Sequence, residues 1–395
     1  MSKRYCIFSA QYLPHMGGVE RYTYYLSKEL IKLGNKVTVV TSKVSGLPEH
    51  EISEGIEIYR MPSYNLMDGR LPVLKPGRKT RNVGKALKAG KYDFVLINTR
   101  FYFLSVYGAA FAKKNKIKSA VVEHGTGHLT FNNRILDMVE NVYEHGITAV
   151  LKHYCHNYFG VSKACCKWSS HFGIKSKGVL YNSIDVDEME KLLESPVKDY
   201  KKSFHIGDED IVITFTGRML IEKGIYELMD AVTSMDASKN VVLFMAGDGP
   251  ESQNMMKKAQ MLSHKNKRII PLGRIDYPHI AALLKITDIY CLPSVSEGFP
   301  TSVLEAAAAK CFVITTYNSG ARELIENGVS GTILKDNNPE GLRKALEDAV
   351  GNDEYRQSAA LKAYEELKSR FTWYSTAMEV EKSVRRKSKA VKDTA

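Results

Sequence analysis

Apolar residues in this chain arrive in short unbroken runs, at 5–9, 37–41, 94–98, 120–123 and 158–161, then at 211–216, 241–246, 289–292, 312–315 and 331–334. Runs this short and continuous predict strands buried on both faces. Between them apolar residues recur at helical spacing. Val19, Tyr22, Leu26, Leu30 and Leu33 are spaced 3, 4, 4, 3 and form one helical face. Strand and helix alternate, which predicts parallel sheets with helices on both sides. The rhythm runs once before about residue 180 and again after about residue 210. The stretch 185–210 is charged and poor in apolar residues, and it reads as a linker. The expected fold is therefore α/β, with two Rossmann-like domains at 1–182 and 183–371 whose strand ends face a cleft. Trp373, Ala377, Val380 and Val384 predict an amphipathic helix at the start of a last segment, 372–395, which ends in a frayed basic tail.

Length and composition narrow the class. A chain of 395 residues with 44% hydrophobic and 25% charged content is that of a globular two-domain protein. No apolar run approaches the roughly 18 residues of a membrane span. The first residues run directly into a strand, so no leader is visible and a cytoplasmic location is expected. Six cysteines (6, 155, 165, 166, 291, 311) lack Cys-x-x-Cys spacing and read as free thiols in a reducing compartment. The charge is uneven. Residues 1–185 carry 27 Lys+Arg against 13 Asp+Glu, whereas 186–395 carry 29 against 31. Arg70, Lys75, Arg78, Lys79, Arg81, Lys85, Lys88 and Lys91 follow one another without an acid, beside Tyr64, Leu66, Met67, Leu71, Val73 and Leu74. Basic and apolar together suit an anionic membrane surface, and a solvated basic loop accounts for the block equally well. No nucleic-acid motif accompanies the charge, so nucleic acid is not expected as a partner.

The densest chemistry lies at Ser296-Glu297-Gly298-Phe299-Pro300-Thr301, with Glu305 eight positions after Glu297. The pattern predicts a buried strand, a tight loop and a helix opening near Thr301. Glu297 then stands at the carboxyl end of a strand, and the N–H groups around Gly298 and Phe299 cluster where anions bind. Glu305 falls one turn inside the helix and can hold a vicinal diol such as a ribose. Arg218 and Lys223, five apart across a strand-to-helix loop, can both reach one anion; alone they read as two surface charges, and beside the glutamate loop they read as a diphosphate clamp. Gly17 and Gly18 end the first strand where a helix begins and let a phosphate approach, although a plain tight turn explains them as well. The dinucleotide fingerprint Gly-x-Gly-x-x-Gly is missing, which disfavours an oxidoreductase. His124, at a strand end ahead of Gly125-Thr126-Gly127-His128, can hydrogen-bond a substrate hydroxyl or be structural. His145, His153 and His156 show no metal-ligand spacing, and the triplets Asp185-Val186-Asp187 and Asp208-Glu209-Asp210 read as solvated acids, so no metal is expected. The aromatic stretch from Thr99 to Leu104 reads either as an acceptor groove or as the start of a buried helix.

These pieces, in this order, resemble the retaining GT-B glycosyltransferases of family GT4. The resemblance rests on Gly17-Gly18-Val19-Glu20, His124, Val161-Ser162-Lys163-Ala164, Asn182-Ser183-Ile184-Asp185, Gly217-Arg218, Lys223-Gly224, Gly247-Asp248-Gly249-Pro250, Leu272-Gly273, and Glu297-Gly298-Phe299-Pro300 with Glu305-Ala306. Gly125 departs from the acidic residue many members carry there, and Pro300-Thr301 replaces a common Gly-Leu pair. The resemblance implies roles. Gly17 and Gly18 lie against the donor diphosphate, and Arg218 and Lys223 neutralise it. Glu305 holds the ribose, while Glu297 with Gly298 and Phe299 holds sugar hydroxyls. His124 sits near the anomeric centre, and Gly273 and Arg274 border the base. It also implies a final helix that crosses back onto the first domain. The expected function is transfer of a sugar, most simply from a UDP-sugar, to a glycan or lipid-linked glycan in cell-surface polysaccharide or glycolipid synthesis, at the inner face of the membrane and without cofactor or metal. The alternatives are a GDP-sugar donor, a nucleotide-sugar epimerase or hydrolase on the same fold, and a nucleotide-sugar-binding subunit without turnover.

Overall fold

A computed structural model describes residues 2–15, 17–66, 71–128, 134–236, 239–295, 297–317 and 320–385. The expectations placed on Met67, Arg70, Ser296 and the tail beyond 385 lie outside the described residues. The chain divides into two compact units, 1–181 with 373–395, and 182–372.

The first unit is built on β1 (Arg4–Ser9), β2 (Lys36–Ser42), β3 (His50–Ser53), β4 (Ile56–Met61), β5 (Ser63–Leu66), β6 (Leu71–Leu74), β7 (Phe94–Asn98), β8 (Lys118–Glu123) and β9 (Tyr158–Gly160). Seven of them form a sheet in the order β3-β4-β2-β1-β7-β8-β9, parallel except for the edge pair β3–β4, while β5 and β6 make a separate antiparallel hairpin. The central strands are buried on both faces. Ile7 pairs Val39 on one side and Leu96 on the other, and all three are at most 1% exposed. This is why the sequence shows unbroken apolar runs rather than alternation. The helix Gly18–Lys32 turns Tyr22, Leu26 and Leu30 inward. The helix Trp373–Arg385 packs on it, although it comes last in the chain. Trp373 stacks on Tyr25 with centroids 5.8 Å apart, the Thr376 hydroxyl donates to the Tyr181 carbonyl (2.9 Å), and Asn35 Nδ2 donates to Glu381 (3.0 Å).

The second unit contains β10 (Ile211–Thr216), β11 (Val241–Ala246), β12 (Lys267–Gly273), β13 (Ile289–Leu292), β14 (Phe312–Thr316) and β15 (Thr332–Leu334), all parallel in the order β12-β11-β10-β13-β14-β15. Strand order reverses direction between β10 and β13, and ligands of open α/β sheets settle at such a switch point.

Several elements differ from the sequence reading, which named no strand at β3 to β6 or at β12. Segment 185–210 is not a bare linker. It holds the helices Val186–Glu194 and Tyr200–Phe204, whose Val186, Met189 and Tyr200 are buried. Two of its acids are caps: Asp185 accepts from the Glu188 N–H (3.0 Å) and Asp199 from the Lys202 N–H (2.9 Å), whereas Asp187, Asp208 and Glu209 are exposed, as expected of solvated acids. β12 carries Lys267, Arg268 and Pro271 and has no apolar run, which an edge strand tolerates. The basic block 75–91 forms the end of a hairpin and the helix Arg78–Ala89, which buries only Val83 and Leu87. All six cysteines are free thiols. Among the described residues no helix is long and apolar enough to cross a membrane.

Candidate functional site

In the second unit the predicted site residues gather at the carboxyl ends of adjacent strands. β10 runs out into Gly217 and Arg218. The flanking backbone is pinned, with the Gly217 N–H on the Ala246 carbonyl (3.0 Å) and the Met219 N–H on that of Asp248 (3.1 Å). Arg218 itself is exposed, and among the described residues its side chain makes no hydrogen bond or ion pair. A single 3₁₀ turn, Ile221–Lys223, then ends at Gly224, whose φ of 69° is left-handed. A Cβ at Gly224 would lie 2.3 Å from the Pro293 carbonyl oxygen, so glycine is required both for the turn and for the approach of the two loops. That approach brings Lys223 to Glu297, and the two side chains form an ion pair that is about one-fifth exposed (21% and 17%). The sequence reading paired Lys223 with Arg218 and missed Glu297 as its partner. The contact spans 74 positions and leaves no local signal.

Glu297 sits on a turn braced from beneath. Its carbonyl accepts from the Gly320 N–H (3.2 Å), and a Cβ at Gly320 would come within 1.9 Å of the Gly298 carbonyl oxygen. The carbonyl of Phe299 accepts from Asn182 Nδ2 (2.9 Å), and the Phe299 ring packs edge-on against Phe371. Asn182 was visible as part of a motif, but its job is now specific: it holds the loop backbone. The helix Thr301–Ala308 follows with no side-chain cap among the described residues; the Val303 N–H donates to the Pro300 carbonyl (3.2 Å), and the N–H groups ahead of it are placed to meet an anion. Glu305, one turn in, is 3% exposed. Nearby the Tyr290 hydroxyl donates to the Thr216 carbonyl (3.2 Å), and burial pushes this phenol far above its usual range. Gly273 closes β12 with φ 65°, its carbonyl taking the Gly247 N–H (2.8 Å). Arg274 is exposed beside Asp248, whose carboxyl is held below its ordinary value by the Ser252 hydroxyl, the Gly249 N–H and then the Arg274 charge. The loops after β10, β11 and β12 are thus one hydrogen-bonded group.

In the first unit Gly17 caps the helix Gly18–Lys32, and its N–H is taken by the buried Glu20 carboxylate (2.8 Å). Gly18 is exposed, with nothing within 4 Å of where a Cβ would stand. His124 follows β8 and is tied to that helix through buried polar groups. Its Nε2 meets Asn98 Oδ1 (3.1 Å), Asn98 Nδ2 donates to the Thr23 hydroxyl (2.7 Å), and Tyr22 packs edge-on against the imidazole at 4.8 Å. Burial lowers the imidazole to a pKa of about 3, so the ring is neutral at physiological pH. The carboxamide oxygen then makes Nε2 the protonated nitrogen and leaves Nδ1 as an acceptor.

Beneath His124 lies a buried ion cluster that the sequence did not show. Arg100 is 1% exposed; it meets Glu123 through Nε (2.9 Å) and Glu144 through a terminal nitrogen (2.7 Å). Within the stretch from Thr99 to Leu104 the helix Phe103–Lys114 begins, and Arg100, ahead of it, is buried. A depression lined by Pro196, Lys198, Lys202, His205, Lys285 and Ile286 contains none of the predicted site residues.

Comparison with known proteins fits this geometry. Residues 16–188 match the family model "Glycosyltransferase Family 4", and residues 196–366 match "Glycosyl transferases group 1". An uncharacterised glycosyltransferase of Methanocaldococcus jannaschii, MJ1069, is 25% identical over 95% of this chain and 96% of its own length. The putative teichuronic acid biosynthesis glycosyltransferase TuaC of Bacillus subtilis is 25% identical over 87% of this chain and 88% of its own. In structure, Anabaena HepE, crystallised with UDP and glucose, superposes with a TM-score of 0.73 at 16% identity, covering 97% of this chain and 99% of HepE. WaaG, a glycosyltransferase involved in lipopolysaccharide biosynthesis, gives 0.66 at 17% identity over 97% of this chain and 100% of its own. Two adjoining glycosyltransferase models spanning nearly the whole chain, full-length relatives of the same kind and two Rossmann-like sheets of the GT-B type establish that this chain belongs to the GT4 glycosyltransferases and is a transferase enzyme.

Proposed function

We propose that the enzyme transfers a sugar from a nucleotide-sugar donor to a glycan or lipid-linked glycan acceptor with retention of configuration. The observation that carries this reading is the loop from Glu297 to Thr301. Its helix N-terminus has no side-chain cap among the described residues, a buried carboxylate lies one turn inside the helix, and a lysine is held at its mouth. The open N–H groups and Lys223 suit a diphosphate, and Glu305 suits a ribose diol. Lys223 now pairs with Glu297, so an arriving diphosphate would compete for the ammonium and release Glu297 to sugar hydroxyls. Arg218, free among the described residues, supplies the second positive charge. Gly273 and Arg274 would border the base, and Gly17 and Gly18, the latter with nothing within 4 Å of where a Cβ would stand, would let a phosphate approach.

The chemistry follows from charge. The bond from anomeric carbon to phosphate oxygen breaks as Arg218 and Lys223 neutralise the departing diphosphate. The acceptor oxygen bonds to the anomeric carbon on the same face and gives its proton to a leaving phosphate oxygen. Two cationic side chains do the neutralising, so the reading invokes no metal at the donor. Catalysis is then electrostatic preorganisation and positioning. Neutral His124, with Nε2–H committed to Asn98, offers Nδ1 as an acceptor for a sugar hydroxyl. UDP is favoured as the carrier because HepE was crystallised with UDP and glucose, and GDP is the second reading. The relative named for teichuronic acid biosynthesis and the fold neighbour named for lipopolysaccharide biosynthesis support a cell-surface glycan as acceptor. The test is thermal stabilisation by UDP, GDP, ADP and NAD, with Glu305→Gln as control. A nucleotide at 100 times its Kd adds roughly 2.7 kcal/mol to the folded state. A response to UDP or GDP that weakens in the variant supports the ribose assignment. No response, or an equal response in the variant, sinks it.

The first unit also carries features suited to an anionic membrane surface. The helix Arg78–Ala89 is basic, and on the helix Arg134–Tyr154 Ile135, Met138, Val139 and Val142 are 59–70% exposed. Such apolar residues at helical spacing, in the same unit as a basic helix, fit peripheral binding on the cytoplasmic face. Co-sedimentation with vesicles containing phosphatidylserine is expected to be strong in low salt and to fall as salt rises. Binding that ignores both anionic lipid and salt would refute it.

A further inference from the structure

His128, His145 and His171 come from three separate elements: the loop after β8, the helix Arg134–Tyr154 and the 3₁₀ turn Ser170–Phe172. One ring nitrogen from each lies within 4.8 Å of the other two. The Nε2 atoms of His128 and His171 are 3.3 Å apart. Two nitrogens on a tetrahedral Zn²⁺, each about 2.0–2.1 Å from the ion, are separated by about 3.3 Å.

The far sides of the rings are already committed. His128 Nδ1 faces the Glu144 carboxylate at 3.0 Å, which requires a proton on Nδ1 and leaves the Nε2 lone pair free. Glu144 is itself buried and fixed by Arg100. His145 Nδ1 faces the Asn141 carbonyl at 2.8 Å, which again frees Nε2. Trp168 stacks on His171 with centroids 4.9 Å apart and planes 6° from parallel, setting the orientation of that ring. A carboxylate or carbonyl behind each ligating imidazole is the usual outer shell of a histidine metal site. His145 and His171 are exposed, so an ion can enter from solvent.

We propose that His128, His145 and His171 form a three-histidine site for Zn²⁺, with the fourth position open to water. Its effect is structural. The ion staples the loop that begins at His124 to a helix and a turn, and Glu144 and Arg100 link the site to Glu123 directly ahead of His124. The proposal rests on the first unit alone and is independent of the donor and acceptor assigned above.

The test uses the full-length, untagged protein, stripped with a chelator and titrated with Zn²⁺ against a chromophoric competitor. One ion per chain is expected, with a rise in the thermal midpoint of the first unit. His145→Ala and His171→Ala, both at exposed positions, are each expected to weaken binding by at least about tenfold, since even outer-shell changes cost 10–100-fold. His156→Ala, at an exposed histidine outside the cluster, should bind as the parent does. Co²⁺ in place of Zn²⁺ should show the intense visible absorption of four-coordinate geometry. The absence of stoichiometric binding, or equal binding by the parent and both cluster variants, would overturn the proposal and leave a hydrogen-bonded histidine group.

Discussion

Lys223→Ala is expected to lower turnover by on the order of 10²-fold or more, the cost of losing one preorganised donor to a developing oxyanion. Arg218→Ala should do the same. Two effects combine at Lys223. The ammonium that neutralises the leaving diphosphate is lost, and Glu297, which it now pairs, becomes an unpartnered carboxylate close to the incoming phosphates. The loss should fall on kcat more than on KM, because charge on the diphosphate grows as the glycosidic bond breaks. Lys223→Arg keeps the charge but spreads it over a planar fork in place of a point, so it should restore only part of the rate. The measurement is steady-state transfer with the donor identified by the nucleotide screen. A loss below about threefold at both positions, against the 10²-fold expected of an oxyanion donor, would remove the clamp from the mechanism.

Arg100→Ala is expected to destabilise the first unit by about 3–5 kcal/mol, the cost of removing one partner of a buried ion cluster. The guanidinium meets two carboxylates, and Glu123 and Glu144 are 1% and 0% exposed. It also donates to the Thr148 hydroxyl (3.2 Å) and lies 3.5 Å from the centroid of the Phe172 ring. Without it both buried acids lose the guanidinium charge, Glu144 keeping His128 Nδ1 (3.0 Å) and Glu123 keeping the His124 and Gly125 N–H groups (3.0 Å each). Burial already holds the Glu123 carboxyl above its ordinary value even with Arg100 opposing, so deletion raises it further. The sign follows from proton binding. An acid with a raised folded-state pKa costs stability while ionised, and the cost is relieved as pH falls through that pKa toward the unfolded value. The gap between variant and parent should therefore narrow in acid. Both tryptophans, Trp168 and Trp373, belong to the first unit, so their emission during urea unfolding reports that unit alone. A loss below about 1 kcal/mol, or a gap that widens in acid, would show that the cluster is not a buried charge pair in the sense argued here.

The two effects separate the chemistry from the scaffold. Lys223 and Arg218 are surface-reaching groups on a rigid strand-end platform, and their removal should leave folding intact. Arg100 touches no proposed substrate, yet it supports the strand end that presents His124. The same arginine fixes Glu144, which orients His128.

By itself the sequence determined the two parallel sheets, because strands buried on both faces must be apolar without interruption, and that is a local signal. It also determined the strand-loop-helix around Glu297, where the predicted opening near Thr301 is the observed first residue of the helix. Local patterning missed β12, which as an edge strand needs little apolar surface, and it misread 185–210 because helix caps and solvated acids share the same residue types. Only the tertiary structure decided who meets whom: Lys223 with Glu297 across 74 positions, Asn182 with the Phe299 carbonyl across 117, and His128 with His171 across 43. Such pairings depend on sheet order and on the close approach of backbones at Gly224 and Gly320, and chain-local periodicity carries no information about either.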